Sequence, residues 1–331
     1  MSADAARQVI EDGVRRGVFP SAVAEVGTSD GLEWRQAFGA AADTLFDLAS
    51  LTKVIATTTA VMARVHGGTL RLNQRVAEFF PEWQGAEREA VTVRDLLEHA
   101  SGLSARLIDA PPEGRREFEH EICTLKLEYS PRSKSVYSDL GFILLGFLVS
   151  DTLTKIVPVS DTELRFLPTP DLRARCAPTT PMREDVRRGR ILRGEVHDNY
   201  AAALGGVAGH AGLFGTAAAV GAFAHTVLRA ARGDRMQPPP FTPELVAEFT
   251  TKSTIPGSSR ALGWDTMLPT SSCGTRMSPR AIGHVGFTGT SLWIDPEQDR
   301  YFVLLTNRAH DAGTLDEMRD VRRSFHDTYI G

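Results

Sequence analysis

The sequence predicts an α+β fold: one antiparallel sheet built from both ends of the chain, helices on its faces, and a helical lobe inserted between the two sheet segments. Three observations carry this. Near the N-terminus, "SAVAEVG" and "LEWRQAFGAA" flank a turn at Ser29-Asp30-Gly31, a hairpin signal. Near the C-terminus, two β-rich runs in "RAIGHVGFTGTSLWIDPEQDRYFVLLTNR" flank the polar turn Asp295-Pro296-Glu297-Gln298-Asp299. From about residue 69 to 190, short helical patterns alternate with Pro- and Arg-rich loops. Hairpins pair antiparallel, and strands segregated from helices point to the α+β class.

Taken in order, "MSADAARQVIEDGVRRG" reads as an amphipathic helix without the apolar core of a signal peptide. The first hairpin follows, and "TLFDLAS" leads into a helix that stops at Gly67-Gly68. The lobe offers "LNQRVAEFFPEW", "VTVRDLLEHASGL", "REFEHEICTL" and "LGFILLGFLVS", whereas 151–190 has poor periodicity and many prolines. From 201, a Gly- and Ala-rich tight loop leads into a helix, and "TLDEMRDVRRSFHDTYI" closes the chain as another. The expected organisation is a sheet domain of residues 1–68 and 191–331 with 69–190 as the inserted lobe.

Composition narrows the function classes. The 331 residues are 42% hydrophobic, enough for a large core, and the net charge of -4 argues against a nucleic-acid partner. Cys123, Cys176 and Cys273 are far apart and odd in number, so buried free thiols are expected rather than disulfides or a zinc cluster. No stretch is long enough to span a membrane, and "LGFILLGFLVS" reads as a core helix. With no export signal visible, the expected location is the cytoplasm.

The stretch "FDLASLTKVIATTTAVMARVHGG" at 46–68 is nearly apolar, yet carries Lys53 one turn after Ser50. A spacing of three puts the pair on one helix face, with Ser50 at the N-terminus, where free N–H groups favour developing negative charge. Apolar surroundings lower a lysine pKa, so Lys53 is expected as a neutral amine that serves as general base toward the Ser50 hydroxyl. The alternative is an N-capping serine and a snorkelling lysine. The chain has only five lysines, and no other Ser-x-x-Lys occurs in it.

Two further segments supply partners. "SVYSDLGF" places Tyr137 and Asp139 on one side of an extended segment, and a tyrosine hydroxyl is a proton relay. "GHVGFTGTS" places His284 and Gly286 on a glycine-softened strand, where the Phe287 N–H could join that of Ser50 as an oxyanion hole.

Together, Ser50-Leu51-Thr52-Lys53, Tyr137-Ser138-Asp139 and His284-Val285-Gly286 resemble, in this order, the motifs of the serine β-lactamase and penicillin-binding-protein superfamily. The resemblance is to its class C-like branch, with esterases, D-aminopeptidases and muropeptide amidases. It covers about residues 20–150 and 190–310, and includes "VTVRDLLEHASGL" and "FTGTSLWIDP". It implies an active site between sheet domain and lobe, an acyl-enzyme on Ser50, acid/base duty shared by Lys53 and Tyr137, and no metal or organic cofactor. Asp139 stands where antibiotic-binding members have Asn, and His284 where many have Lys. His284 and Asp139 would shape the substrate wall, with the His284 imidazolium as anchor for a carboxylate. Arg132 replaces a usual glycine, and 151–170 lacks a Pro-Leu-Gly-Met-like segment, which implies an open cleft rim. "RGEVHDNYAAALGGVAGHAGLF" at 193–214 resembles a subgroup that includes intracellular amidases of cell-wall fragments. There His197, Asp198 and His210 are candidates for substrate contact, for loop-stabilising hydrogen bonds or for a metal site, the last lacking further ligands.

The leading expectation is a serine hydrolase acting on a small-molecule ester or amide, esterase-like and with no more than weak β-lactam reactivity. A cytoplasmic muropeptide amidase or D-aminopeptidase comes next, then a β-lactamase, then a non-catalytic binding protein of the same fold.

Overall fold

Strand register ties the two ends of the chain together. The computed structural model describes residues 3–107, 110–155, 164–310 and 313–329. The first hairpin is β1 (Ala22–Thr28) and β2 (Gly31–Phe38), with Ala22 opposite Phe38. On its other edge β1 pairs antiparallel with β9 (Arg300–Thr306), Ala22 opposite Thr306. Strands β8 (Ser291–Asp295), β7 (Ile282–Val285) and β6 (Asp265–Thr266) continue the sheet in the order β2-β1-β9-β8-β7-β6. Every pairing in it is antiparallel.

Alternation along the central strands sorts the side chains between two cores. Val23, Leu292, Ile294, Val303 and Leu305 face a large core with Val220, Phe223 and Ala224 of the Ala217–Ala231 helix. The same core takes Val54, Ile55, Ala60 and Val61 from the segment after Ser50. Ala24, Val26, Trp293, Phe302 and Leu304 face the other way, against Ile10 of the Ala3–Arg15 helix and Met318 and Phe325 of the Leu315–Tyr329 helix. The sheet is thus covered on both faces, and the Ser50 helix packs on the side that meets residues 69–190.

A second, three-stranded sheet was not legible in the sequence: β4 (Leu164–Phe166) and β3 (Phe46–Asp47) flank β5 (Leu213–Gly215). Strands of two or three residues are too short to display a period of two. β4 lies within 151–190, the part of the expected helical lobe whose sequence shows no clear pattern, and it joins that region to a sheet. Part of the 151–170 stretch, residues 156–163, lies outside the described residues.

"LGFILLGFLVS" falls in the buried helix Asp139–Leu148, capped by the Ser138 hydroxyl accepting from the Gly141 N–H. Among the described residues no helix is long and apolar enough to cross a membrane. The three cysteines are unpaired and buried, and burial pushes each thiol up to about 12.

Candidate active site

The nucleophile position is set by Asp47, the residue directly after Phe46 in "FDLAS": it closes β3, and its carboxylate accepts the Ala49 N–H at 2.9 Å and the His197 N–H at 2.6 Å. This bends the chain so that Ala49 takes a φ of 47°, a left-handed conformation costly for a non-glycine residue. The strained step projects Ser50 from the end of the turn. Thr52 locks it, donating to the Ala49 carbonyl at 2.6 Å and accepting the Leu213 N–H at 3.2 Å.

Lys53 opens a π-helical stretch, Lys53–Thr58, that continues as the α-helix Thr59–His66. Wide π turns recur where a helix must serve a site. The Lys53 ammonium is fully buried and donates to Ser50 Oγ at 3.1 Å, Asp139 Oδ1 at 2.8 Å and the His210 carbonyl at 3.1 Å. The Tyr137 hydroxyl lies 2.8 Å from the same Oγ, and Lys53 Nζ lies 4.8 Å from the Tyr137 ring centroid.

This geometry corrects the expectation of a neutral amine. Burial pushes the Lys53 pKa down, but the Asp139 carboxylate, with Tyr137, outweighs it and holds the ammonium above its ordinary value. Lys53 rests as a cation in an ion pair, and Asp139 is its counter-ion.

His284 needs a second correction. It is buried, its Nδ1 is 2.9 Å from the Val285 carbonyl, and Nε2 has no partner among the described residues. Burial, then Arg260 and Lys53, push its pKa well below the ordinary value. It stands as a neutral imidazole 5.8 Å from the Tyr137 ring, not as the imidazolium anchor expected. His99 backs Tyr137 from another side, with ring centroids 4.8 Å apart, and its Nδ1 accepts the Ser138 N–H at 3.0 Å. Arg260 lies over the Tyr137 ring at 5.1 Å. Sequence reasoning missed both; the only signals are the histidine of "EHASGL" and an arginine ahead of β6.

It also missed Arg106. One guanidinium nitrogen donates to Asp139 Oδ2 at 3.1 Å and to Asp198 Oδ2 at 2.9 Å; the other donates to Asn199 Oδ1 at 2.7 Å. His210 Nε2 meets Asp198 Oδ1 at 2.8 Å. Burial raises the Asp198 pKa, but His210 and Arg106 outweigh it and hold the carboxyl well below the usual range. Asp139, Asp198 and His210 lie close enough together to share a metal ion. Their carboxylate oxygens, however, already face Lys53, Arg106 and His210, a donor set that meets the negative charge without a metal. Among the described residues the His197 ring makes no hydrogen bond to Asp198 or His210; it stacks on Phe287 with centroids 5.3 Å apart.

These groups border a cavity of about 620 Å³, with Ser50, Tyr137 and Asp139 at its base and Ala105, Pro111 and Phe287 among its apolar walls. His197, Asp198 and His210 line it too, whereas His284 and Gly286 are buried and are not among its lining residues. Gly286 is required by a close approach, since a Cβ there would sit 2.7 Å from the Leu48 carbonyl. The Ser50 and Phe287 N–H groups have no acceptor among the described residues, the state expected of oxyanion donors.

The comparisons with known proteins agree with this arrangement. The family model "Beta-lactamase" matches residues 6–326. A protein of Escherichia coli (strain K12) named "Putative D-alanyl-D-alanine carboxypeptidase" is 32% identical over 307 residues, spanning 81% of this chain and 70% of its own. Among solved structures, a class C β-lactamase from Rhodobacter sphaeroides superposes with a TM-score of 0.75 at 18% identity, covering 99% of both chains. A penicillin-binding-protein homologue from Caulobacter crescentus gives 0.75 at 19% identity, covering 98% of this chain and 97% of its own. The chain belongs to the Beta-lactamase family and is a serine hydrolase of the serine β-lactamase and penicillin-binding-protein superfamily.

Proposed function

We propose that this hydrolase cleaves neutral esters or amides through an acyl-enzyme on Ser50. One observation carries the reading: Ser50 Oγ lies within hydrogen-bond reach of both the Tyr137 hydroxyl and a buried Lys53 ammonium, at the base of the cavity. A cationic Lys53 has no free pair to accept a proton. In the reactive form Tyr137 has given its own proton to solvent and the Lys53 ammonium balances the resulting phenolate; that oxygen takes the Ser50 proton as Oγ attacks the carbonyl and becomes a neutral phenol. The two free N–H groups receive the oxyanion. Tyr137 then passes the proton to the departing alkoxide or amine. In deacylation a water attacks the acyl carbon, its proton goes to Tyr137, and the bond to Oγ breaks as Ser50 is reprotonated.

The cavity's chemistry favours a neutral acyl group, which supports the esterase-like reading. Arg106 is engaged by Asp139, Asp198 and Asn199, Lys53 by Asp139, and His284 is uncharged, so a substrate carboxylate would meet no uncommitted cation among these three. A second reading, release of a D-amino acid from a peptide, is favoured by the names of relatives such as the Escherichia coli protein and by Arg260, the cation on the far side of Tyr137.

Intact-mass analysis after mixing with p-nitrophenyl acetate, a D-alanyl-D-alanine peptide and a β-lactam tests both. The expected result is an acetyl adduct on Ser50 and loss of ester turnover in Ser50→Ala. Equal turnover by Ser50→Ala and wild type would overturn the acyl-enzyme, and turnover of the peptide alone would replace the first reading with the second.

A further inference from the structure

Two buried arginines sit behind the turn that follows β7. Arg322, from the Leu315–Tyr329 helix, donates through one nitrogen to the Gly286 carbonyl at 2.8 Å and to the Thr290 carbonyl at 2.9 Å. Arg308 donates to the Phe287 carbonyl at 3.1 Å and to the Gly313 carbonyl at 3.2 Å. Among the described residues neither has a carboxylate within ion-pair distance, and Arg322 is only 4% exposed. A buried cation with no counter-ion is costly, and a fold that keeps one beside its active site has a use for it.

The peptide unit explains the use. In a planar trans peptide, C=O and N–H point in opposite directions. The carbonyl of Gly286 and the N–H of Phe287 belong to one such unit. Arg322 holds the carbonyl end, so the N–H end is fixed and aimed away from Arg322, without an acceptor of its own. A cation on the oxygen also draws electrons through the unit and strengthens the N–H as a donor. Arg308, on the next carbonyl, pins the following peptide plane, so both planes that meet at Phe287 are held. The turn is fastened on its other side by Thr288 Oγ1 to the Asp47 carbonyl at 2.7 Å and Thr290 Oγ1 to the Leu48 carbonyl at 3.0 Å, next to Ser50 itself.

We propose that Arg322 is a positioning residue for catalysis, acting through the Gly286–Phe287 peptide to orient and polarise an oxyanion-hole donor. This rests on the reading of Ser50 as nucleophile. Its effect belongs to tetrahedral species, which carry the oxyanion, and not to the bound ester.

The test compares wild type, Arg322→Met and Arg322→Lys in p-nitrophenyl acetate turnover and in binding of phenylboronic acid, which forms a tetrahedral adduct on an active serine. For Arg322→Met the expected kcat loss is about ten- to a hundredfold, below the full loss of an oxyanion donor, with KM changed by less than about twofold. Phenylboronic acid affinity falls by a similar factor, the melting temperature stays close to wild type, and Arg322→Lys, which keeps the charge, recovers part of both. Wild-type kcat and boronate affinity in Arg322→Met overturn the proposal, as does a loss that merely tracks a lower melting temperature. Should Arg322→Met fail to fold, Arg322→Lys decides: partial kcat and boronate loss at unchanged KM supports the role, and wild-type behaviour overturns it. A wild type that neither turns over the ester nor binds the boronate overturns the Ser50 reading and this proposal with it; an active wild type beside an unaffected variant overturns this proposal alone.

Discussion

At the scale of single residues, the charge on Lys53 decides which group can take a proton. Asp139 is 2.8 Å from the amine and outweighs the burial that would neutralise it. Asp139→Asn removes the larger of the two supports and leaves only Tyr137 against desolvation, so the Lys53 pKa drops. If Lys53 works as a cation beside Tyr137, the variant loses kcat/KM at neutral and alkaline pH, by about tenfold or more, and its alkaline limb moves to lower pH. If the amine were the base, the same substitution would raise activity near pH 7. A pH profile of the two enzymes reads the sign directly. Ser50, Lys53 and Tyr137 were legible in the sequence because two of them share a helical turn and all three recur in a known motif order. The charge was not legible, because it depends on a carboxylate 86 residues away in sequence, and an apolar neighbourhood alone gives the wrong sign.

At the scale of elements, the short strand β3 does more than its two residues suggest. Asp47 ends it, shapes the turn to Ser50 through Ala49, and holds the His197 backbone. Burial raises the Asp47 carboxyl to about 6, since two N–H donors, the first from His197, only partly offset it. The folded state therefore binds this proton more tightly than the unfolded chain does. Stability from this group is full below about pH 4 and falls as pH rises through about 6, by at most about 3 kcal/mol. Asp47→Asn does not titrate. Urea unfolding at pH 4 and pH 8 should show the variant gaining on wild type by up to that amount across the interval, and parallel curves would remove the effect. Hairpins with strands of five to eight residues declare themselves by pattern, but β3, β4 and β5 gain their pairing only from tertiary placement. The glycines of "GGVAGHAG" suggested a tight loop; that Gly209 lies against the Asp139–Leu148 helix, where a Cβ would come 2.0 Å from the Phe142 carbonyl, depends on a partner the local sequence does not name.

Across the whole molecule, one ionic network joins segments that the chain keeps far apart. Lys53, Arg106, Asp139, Asp198 and His210 come from the Ser50 helix, the loop after "EHASGL", the start of the Asp139–Leu148 helix and the 193–214 stretch. Sequence patterns reveal single elements and their faces, but not which charges meet when the elements pack, so Arg106 stayed hidden while its partners were named. Among the described residues Arg106 is the one side chain that hydrogen-bonds both Asp139 and Asp198, and Arg106→Met leaves those carboxylates facing each other with one cation fewer. The expected cost is about 1–2 kcal/mol near pH 7, less than for a fully buried pair because the Arg106 side chain is 35% exposed and partly screened by solvent. Its pH dependence follows from Asp198, which the folded state holds below the usual carboxylate range. Such a group stabilises the fold above its unfolded value near 4, and that contribution fades as pH falls through the folded value. The gap between wild type and Arg106→Met is therefore widest at neutral pH and narrows on acidification, as the variant's carboxylates take up protons that Arg106 keeps off in the wild type. Denaturant unfolding of both proteins at pH 7.5 and pH 4.5 measures it. A gap that stays constant would mean that Arg106 holds these segments by packing on Tyr200, 4.0 Å from its guanidinium, and not by charge.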